Sequence, residues 1–259
     1  MKFIYLLLLG GVCAFSTSAK IVSKSVEYKD GDATLEGYLA YDDAGTGARP
    51  GVLIVHQWMG LTDYEKHRAE MLAQLGYVAF CADIYGKGIR PKDGREAGAE
   101  ATKYKTNRAL LRERVNAGLS ELMKNPLVDK SRVAAIGYCF GGSTALQLAY
   151  SGADLKAVVT FHAALPAPTA AEAKQIKATI LVCHGADDKF IPDQAIKSFR
   201  NALDKASVKY EFVSYPDTVH SFTVPGADKH NIAGMKYNKT ADEDSWKRMV
   251  ELLAAKFKS

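Results

Sequence analysis

The sequence predicts an α/β fold in which helices cover both faces of a mostly parallel sheet of about seven or eight strands. Short continuous apolar runs, typical of strands buried on both faces, recur along the chain and alternate with helical patterns. No Pro- or Ser-rich linker interrupts this alternation after residue 19. A chain of 259 residues, 47% of them hydrophobic, is long enough for one large core. We therefore predict a single α/β domain over residues 20–259.

Local signals set the bounds of the predicted strands and helices. Asp30-Gly31-Asp32 is a turn that favours a hairpin between the first two strands. Thr62 and Glu65 have the spacing of a capping box, and Gly76 ends the helix that this box begins. The residues 86–100, rich in glycine and charge, are predicted to be an excursion over the surface. In chain order, the predicted strands are 26–28, 34–39, 51–56, 77–81, 133–136, 157–161, 179–183 and 210–215. The predicted helices are 62–76, 102–125, 140–150, 194–205 and 243–256.

The first nineteen residues have the pattern of a secretory signal peptide. A positive start at Lys2 precedes an apolar run over 3–15, and Thr17-Ser18-Ala19 has the small-x-small pattern of a cleavage site. A buried helix or a membrane anchor is the alternative, but the run is short for a membrane span and no stop-transfer pattern follows it. We expect a signal peptide over residues 1–19 and a mature chain from Lys20. The mature chain is expected to be periplasmic or extracellular, with no stable membrane anchor.

Charge and cysteine spacing argue against several classes of function. The net charge of +5 is spread among interspersed acids and bases, so nucleic-acid binding is not expected. Removal of the signal peptide leaves Cys81, Cys139 and Cys183, an odd and widely spaced set that forms no disulfide framework. No CxxC, HExxH or comparable ligand cluster occurs, so we expect neither a metal nor another cofactor. A monomer is expected, and a dimer stays open.

The segment Gly137-Tyr138-Cys139-Phe140-Gly141 carries the clearest sign of chemistry. It lies where a predicted buried strand turns directly into a helix, and it matches the nucleophile-elbow pattern with cysteine as the nucleophile. The two glycines are needed because side chains at their positions would collide in so tight a turn. The start of the helix favours the thiolate of Cys139. A buried structural cysteine is the alternative interpretation.

An acid and a histidine follow the elbow in the order that this pattern requires. Asp188 lies in the loop after predicted strand 179–183, and His220 lies in the loop after predicted strand 210–215. Parallel strands end at the same edge of a sheet, so both side chains should converge on Cys139. The order nucleophile, acid, base predicts the α/β-hydrolase fold. In this arrangement Cys139 attacks an acyl carbon, His220 moves the proton, and Asp188 orients the imidazole.

Several motifs resemble the dienelactone hydrolase family over most of the chain, from about Gly51 to the carboxyl terminus. These motifs are His56-Gln-Trp-Met-Gly60, Ala82-Asp-Ile-Tyr-Gly86, Gly137-Tyr-Cys-Phe-Gly-Gly142, the acid loop 185–192 and His220-Ser-Phe222. The resemblance implies an ester or lactone hydrolase without a cofactor. It also implies that Asp188, not its neighbour Asp187, is the orienting acid. The elbow predicts an oxyanion hole that uses the Phe140 N–H, and the resemblance places the second N–H at Trp58.

Two positions depart from the family members that cleave dienelactone. Gln57 replaces a carboxylate that interacts with the cysteine in those members, and Val224 replaces an arginine that holds the carboxylate of the substrate. Both changes weaken the case for dienelactone as the substrate. The cations that could compensate are Lys87, Arg90, Lys92 and Arg95, for which the alternative is solvated surface charge.

The substrate pocket is predicted from polar and aromatic residues near the ends of strands. The predicted lining residues are Gln57, Tyr85, Phe161, His162 and Phe222. For the aromatic residues and the histidine, burial in the core is the alternative. The expected ligand is a small-molecule ester or lactone.

Two kinds of function remain compatible with the sequence. The first is a hydrolase that cleaves a small carboxylic ester or lactone through an acyl-enzyme intermediate, and a thioesterase or acyl-peptide hydrolase would use the same residues. The second is a catalytically silent binding protein with the α/β-hydrolase fold. The complete set of Cys139, His220 and Asp188 favours the first.

Overall fold

The computed structural model describes residues 20–258 and places their strands in one sheet. The strands are β1 (Ile21–Asp30), β2 (Ala33–Asp42), β3 (Arg49–Val55), β4 (Val78–Ala82), β5 (Val128–Tyr138), β6 (Ala157–Phe161), β7 (Thr179–Gly185) and β8 (Tyr210–Tyr215). Their order across the sheet is β1-β2-β4-β3-β5-β6-β7-β8. β1 and β2 pair antiparallel, and β2 pairs antiparallel with β4, whereas β3 to β8 run parallel. The predicted α/β-hydrolase fold with a mostly parallel sheet is confirmed.

Helices cover both faces of this sheet. They are α1 (Asp63–Gln74), α2 (Gly94–Thr106), α3 (Arg108–Lys124), α4 (Phe140–Tyr150), α5 (Ala170–Gln175), α6 (Asp193–Lys205) and α7 (Lys239–Phe257). Successive side chains of a strand point to opposite faces. In β3, Leu53 accordingly packs into a core with residues of α3 and α4, whereas Val52 and Ile54 pack into a second core with residues of α1 and α7. A buried strand between two helical layers explains why β3 is apolar at every central position.

The region from 86 to 125 differs from its prediction. Instead of a surface excursion and one long helix, it contains the two helices α2 and α3. Asp93 caps α2 by accepting the Glu96 N–H at 2.8 Å. Asn107 has non-helical backbone angles and accepts the Leu110 N–H at 3.1 Å, so it ends α2 and caps α3. The apolar spacing continues across Asn107, and for that reason periodicity alone predicted one helix.

The structure bears only in part on the predictions about the signal peptide, a membrane anchor, the cysteines and a metal. The predicted signal peptide, residues 1–19, lies outside the described residues. Within residues 20–258, no helix is both long and apolar enough to span a membrane. Cys81, Cys139 and Cys183 are free thiols. No group of three or more His, Cys, Asp or Glu side chains in the described part of the chain is arranged to hold a metal ion.

Candidate active site

Cys139 lies at the turn between β5 and α4, with φ 52° and ψ −115°. A non-glycine residue adopts such a conformation only where its surroundings enforce it. The two flanking glycines show how tight the turn is. A Cβ atom on Gly137 would lie 2.1 Å from the Gly141 carbonyl oxygen, and a Cβ atom on Gly141 would lie 2.1 Å from the Val55 carbonyl oxygen. Glycine is therefore required at both positions, and the thiol projects beyond the end of the strand.

The base and the acid converge on this thiol. His220 Nε2 lies 3.1 Å from Cys139 Sγ, and His220 Nδ1 lies 2.7 Å from Asp188 Oδ2. Asp188 Oδ1 accepts the Phe190 N–H at 3.0 Å, so both carboxylate oxygens are hydrogen-bonded. Asp188 and His220 are buried, whereas Asp187 is exposed. The three residues singled out from the sequence thus form one hydrogen-bonded chain.

The charges of Asp188, His220 and Cys139 favour a thiolate on Cys139 beside an imidazolium on His220. Burial opposes the ionisation of Cys139, but His220 at hydrogen-bond distance, helped by Lys105 and the Phe140 N–H, leaves the pKa of this thiol below its ordinary value. Burial likewise opposes the protonation of His220, but Cys139 and Asp188 together raise the pKa of this imidazole. Both shifts favour the same arrangement, in which the proton lies on His220 Nε2 instead of Cys139 Sγ.

We expect Cys139 to be half ionised at a pH below the ordinary thiol value of about 8.5. Titration of thiolate absorbance in the ultraviolet measures this midpoint. His220→Ala should raise it, because the largest interaction that favours the thiolate is lost. Lys105→Gln should raise it by less, and Lys103→Gln, which removes a charge paired with Glu100, serves as the control. A wild-type midpoint at or above the ordinary value would contradict the ion pair.

Two backbone N–H groups, those of Phe140 and Trp58, are the candidates for the predicted oxyanion hole. Phe140 is the first residue of α4, so its N–H has no partner within the helix. The second predicted donor, Trp58, follows β3. His56 Nε2 accepts the Ile84 N–H at 3.1 Å, so His56 Nδ1 donates to the Gln57 carbonyl oxygen at 2.6 Å. Because a trans peptide points its C=O and N–H in opposite directions, the Trp58 N–H is turned away from the His56 ring.

A cavity of about 290 Å³ opens over the thiol. Among the described residues, its lining is Trp58, Lys105, Cys139, Phe140, Ser143, Ala164, Phe190, Ile191, His220, Ile232 and Met235. A second cavity of about 350 Å³ shares Trp58, Ile232 and Met235 with the first, and Gln57 and Val224 also line it. The two positions that depart from the dienelactone-cleaving pattern, Gln57 and Val224, therefore both line the second cavity, which adjoins the first.

Four of the predicted pocket residues lie behind the cavity instead of lining it. Tyr85 is buried against the Phe140 ring at 5.6 Å, and its hydroxyl donates to the Trp58 carbonyl oxygen at 2.9 Å. His162 is buried at 5.2 Å from the ring of His220. The other two predicted residues, both buried aromatics, are Phe161 and Phe222. None of the four lines either cavity, because the end of a strand presents side chains to the core as well as to the cavity.

Of the lining residues that the sequence did not indicate, Lys105 lies in α2 and Ser143 in α4, and several others lie in loops. Phe190 is 49% exposed and lies 5.1 Å from the His220 ring, just after Asp188 in the acid loop. Met235 is held beside His220 by backbone hydrogen bonds of its neighbours, in which the His220 N–H donates to Gly234 and the Lys236 N–H donates to His220. The adjacency of Phe190 to the acid was a usable signal. Met235 reaches His220 from a loop whose sequence has no regular apolar spacing, so no sequence signal indicated it.

The four candidate cations after β4 have different surroundings. Lys87 pairs with Glu27 on the surface. Arg90 donates to nearby carbonyl oxygens and lies 3.7 Å from buried Asp83. Lys92 lines the second cavity, and Arg95 is exposed. Lys105, which lines the cavity over Cys139, was not among the candidates.

Comparison with known proteins identifies the family of this chain. The model of the dienelactone hydrolase family matches residues 35–257. Proteins named "Putative carboxymethylenebutenolidase" from Synechocystis sp. and Salmonella typhimurium are 29% and 26% identical, over 86% and 85% of this chain and 93% and 82% of theirs. A crystal structure of a dienelactone hydrolase-like promiscuous phosphotriesterase from metagenomic libraries is 39% identical, with a TM-score of 0.89, over 92% of this chain and 99% of its own. The chain is a hydrolase that belongs to the dienelactone hydrolase family.

Proposed function

We propose that this hydrolase cleaves small carboxylic esters or lactones, with Cys139 as the nucleophile, His220 as the acid and base, and Asp188 as the orienting group. The observation that carries the proposal is the continuous series of hydrogen bonds from Asp188 through His220 to the thiol of Cys139. The backbone of Cys139 is strained, and its side chain lines a cavity. The membership of the family and the printed names of the relatives support an ester or lactone as the substrate class.

The reaction follows from the positions of these atoms. The Cys139 thiolate attacks the carbonyl carbon, and the N–H groups of Phe140 and Trp58 stabilise the resulting oxyanion. When the C–O bond of the ester breaks, His220 gives its proton to the departing alkoxide, which leaves a thioester on Cys139. His220 then removes a proton from a water molecule that attacks the thioester. The acid is released, and Cys139 returns to the thiolate beside a protonated His220.

A binding protein without activity would have no use for this arrangement. The positive φ at Cys139 and the two obligatory glycines cost conformational freedom that ligand binding alone does not require. Turnover of p-nitrophenyl acetate, measured with and without one equivalent of iodoacetamide, separates the two functions. Hydrolysis that stops on alkylation supports the proposal, and the absence of turnover by the untreated protein would favour the binding protein.

The second cavity indicates which small esters are preferred. Val224 offers no charge to a substrate carboxylate, and an apolar side chain cannot replace a bidentate guanidinium. We therefore expect kcat/KM to be lower for dienelactone than for a neutral ester of similar size. A preference for the anionic lactone would overturn this expectation. In that case Lys92→Ala, compared with Lys87→Ala as the control, would test whether Lys92 supplies the missing cation.

We also propose that the protein is exported, on the evidence of the signal-peptide pattern in residues 1–19. Amino-terminal sequencing of protein recovered from the periplasm or the medium should begin at Lys20. A mature protein that begins at Met1 would contradict export by cleavage.

A further inference from the structure

Several lysines lie at the end of the sheet where its parallel strands begin, opposite to the end at which Cys139 lies. Lys156 immediately precedes β6, Lys209 immediately precedes β8, and Lys177 lies two residues before β7. Backbone hydrogen bonds hold these positions together, because the Lys156 carbonyl accepts the Thr179 N–H at 3.2 Å and the Lys209 carbonyl accepts the Ile180 N–H at 3.0 Å. Three adjacent parallel strands therefore each begin beside a lysine.

These lysines line a concave space of about 420 Å³, which we name the lysine crevice. Of the described residues that line it, five are lysines and none is acidic: Lys156, Lys174, Lys177, Lys209 and Lys256. A neighbouring crevice shares Lys174 and adds Lys205. Asp154, outside the lining, lies 3.8 Å from Lys177 in an exposed pair. Among the described residues, lysines therefore clearly outnumber acidic residues in and around the lysine crevice.

We propose that the lysine crevice binds a compact, multiply charged anion of the oligophosphate class. Ammonium groups are compact point charges that suit phosphate oxygens. Like charges that the fold brings together repel each other, and a ligand with several negative charges relieves that repulsion at several lysines at once. A monoanion would neutralise only one of them.

The shape of the crevice favours a compact ligand over a membrane surface. Lys156 and Lys256 are half-buried, whereas Lys174 and Lys209 are exposed. A flat bilayer would reach the exposed lysines at the rim before the half-buried ones. The crevice is also separate from the proposed catalytic residues, because the five residues of β6, about 16 Å of extended chain, lie between Lys156 and His162. The proposal is therefore independent of the reaction at Cys139.

Isothermal titration of the chain from residue 20 to 259 with sodium tripolyphosphate at low ionic strength tests this proposal. We expect binding that weakens as sodium chloride is added. Lys156→Glu/Lys209→Glu should weaken it by about 100-fold or more, because each change replaces an attraction with a repulsion. Lys24→Glu/Lys29→Glu makes the same change in net charge on β1, at the far edge of the sheet, and should leave the affinity within about threefold.

Three results would overturn the proposal: no binding of tripolyphosphate, an equal loss of affinity in both double variants, or binding only to vesicles of anionic phospholipid. Thermal unfolding followed by circular dichroism verifies that both variants are folded. If the charge reversal prevents folding, Lys156→Gln/Lys209→Gln replaces it. That milder pair should still weaken binding by about tenfold, since two attractions are lost without a new repulsion.

Discussion

Cys139→Ala is expected to abolish ester hydrolysis. The variant removes the atom that attacks the carbonyl carbon, and no other described thiol can take its place, because Cys81 and Cys183 are buried. In serine proteases, removal of the nucleophile lowers kcat by about 10⁶-fold. The alanine fits the available space, so thermal unfolding should change little. Initial rates with p-nitrophenyl acetate measure the effect.

Two controls show whether the loss belongs to Cys139 alone. Cys81→Ala and Cys183→Ala should retain activity, because neither side chain lines the cavity. Iodoacetamide should label Cys139 first, since thiolates react and thiols do not. Burial raises the pKa of Cys81 well above its usual value and that of Cys183 to about 12. Unchanged activity in Cys139→Ala would end the proposed mechanism.

The elements that position the site were readable from local sequence. Each of the residues Cys139, Asp188 and His220 follows the end of a parallel strand, and parallel strands bring their carboxyl ends to one edge of the sheet. The pattern of glycines around Cys139 has a steric cause that the structure makes explicit, since a Cβ atom at Gly137 would overlap the backbone of Gly141. Catalytic candidates that lie at strand ends and tight turns can therefore be predicted, because the signals that mark them are local in the sequence.

The cavity was predicted less well because its walls depend on packing between distant loops. Tyr85 and His162 lie at the expected edge, but their side chains turn into the core. Ile232 and Met235 complete the cavity from a segment in which no apolar period marks them. The lysine crevice is a similar case, because Lys156 and Lys209 are 53 positions apart in the sequence and become neighbours only through the register of the sheet.

Asp188→Asn is expected to lower kcat by orders of magnitude, up to about 10⁴-fold by analogy with the serine-protease template. The Asp188 carboxylate accepts the Nδ1–H of His220 at 2.7 Å and stabilises the imidazolium. An asparagine amide can instead donate to Nδ1, which leaves the proton on Nε2 and prevents this nitrogen from accepting one from Cys139. The neutral amide also lowers the pKa of His220. The midpoint of thiolate formation should therefore rise together with the loss of kcat.

Asp187→Asn provides a matched control, since it makes the same chemical change one residue away. Asp187 is exposed, and the His220 ring is hydrogen-bonded to Asp188 instead. The control should therefore lose far less activity and keep the wild-type thiolate midpoint. A merely structural role for Asp188 would reduce kcat through unfolding and would leave the thiolate midpoint of the folded fraction unchanged. The reverse ranking, with Asp187→Asn the more damaged variant, would move the orienting acid by one residue. The geometry argues against that result, because Asp188 Oδ2 already occupies the only hydrogen-bond position on the Nδ1 side of His220 among the described residues.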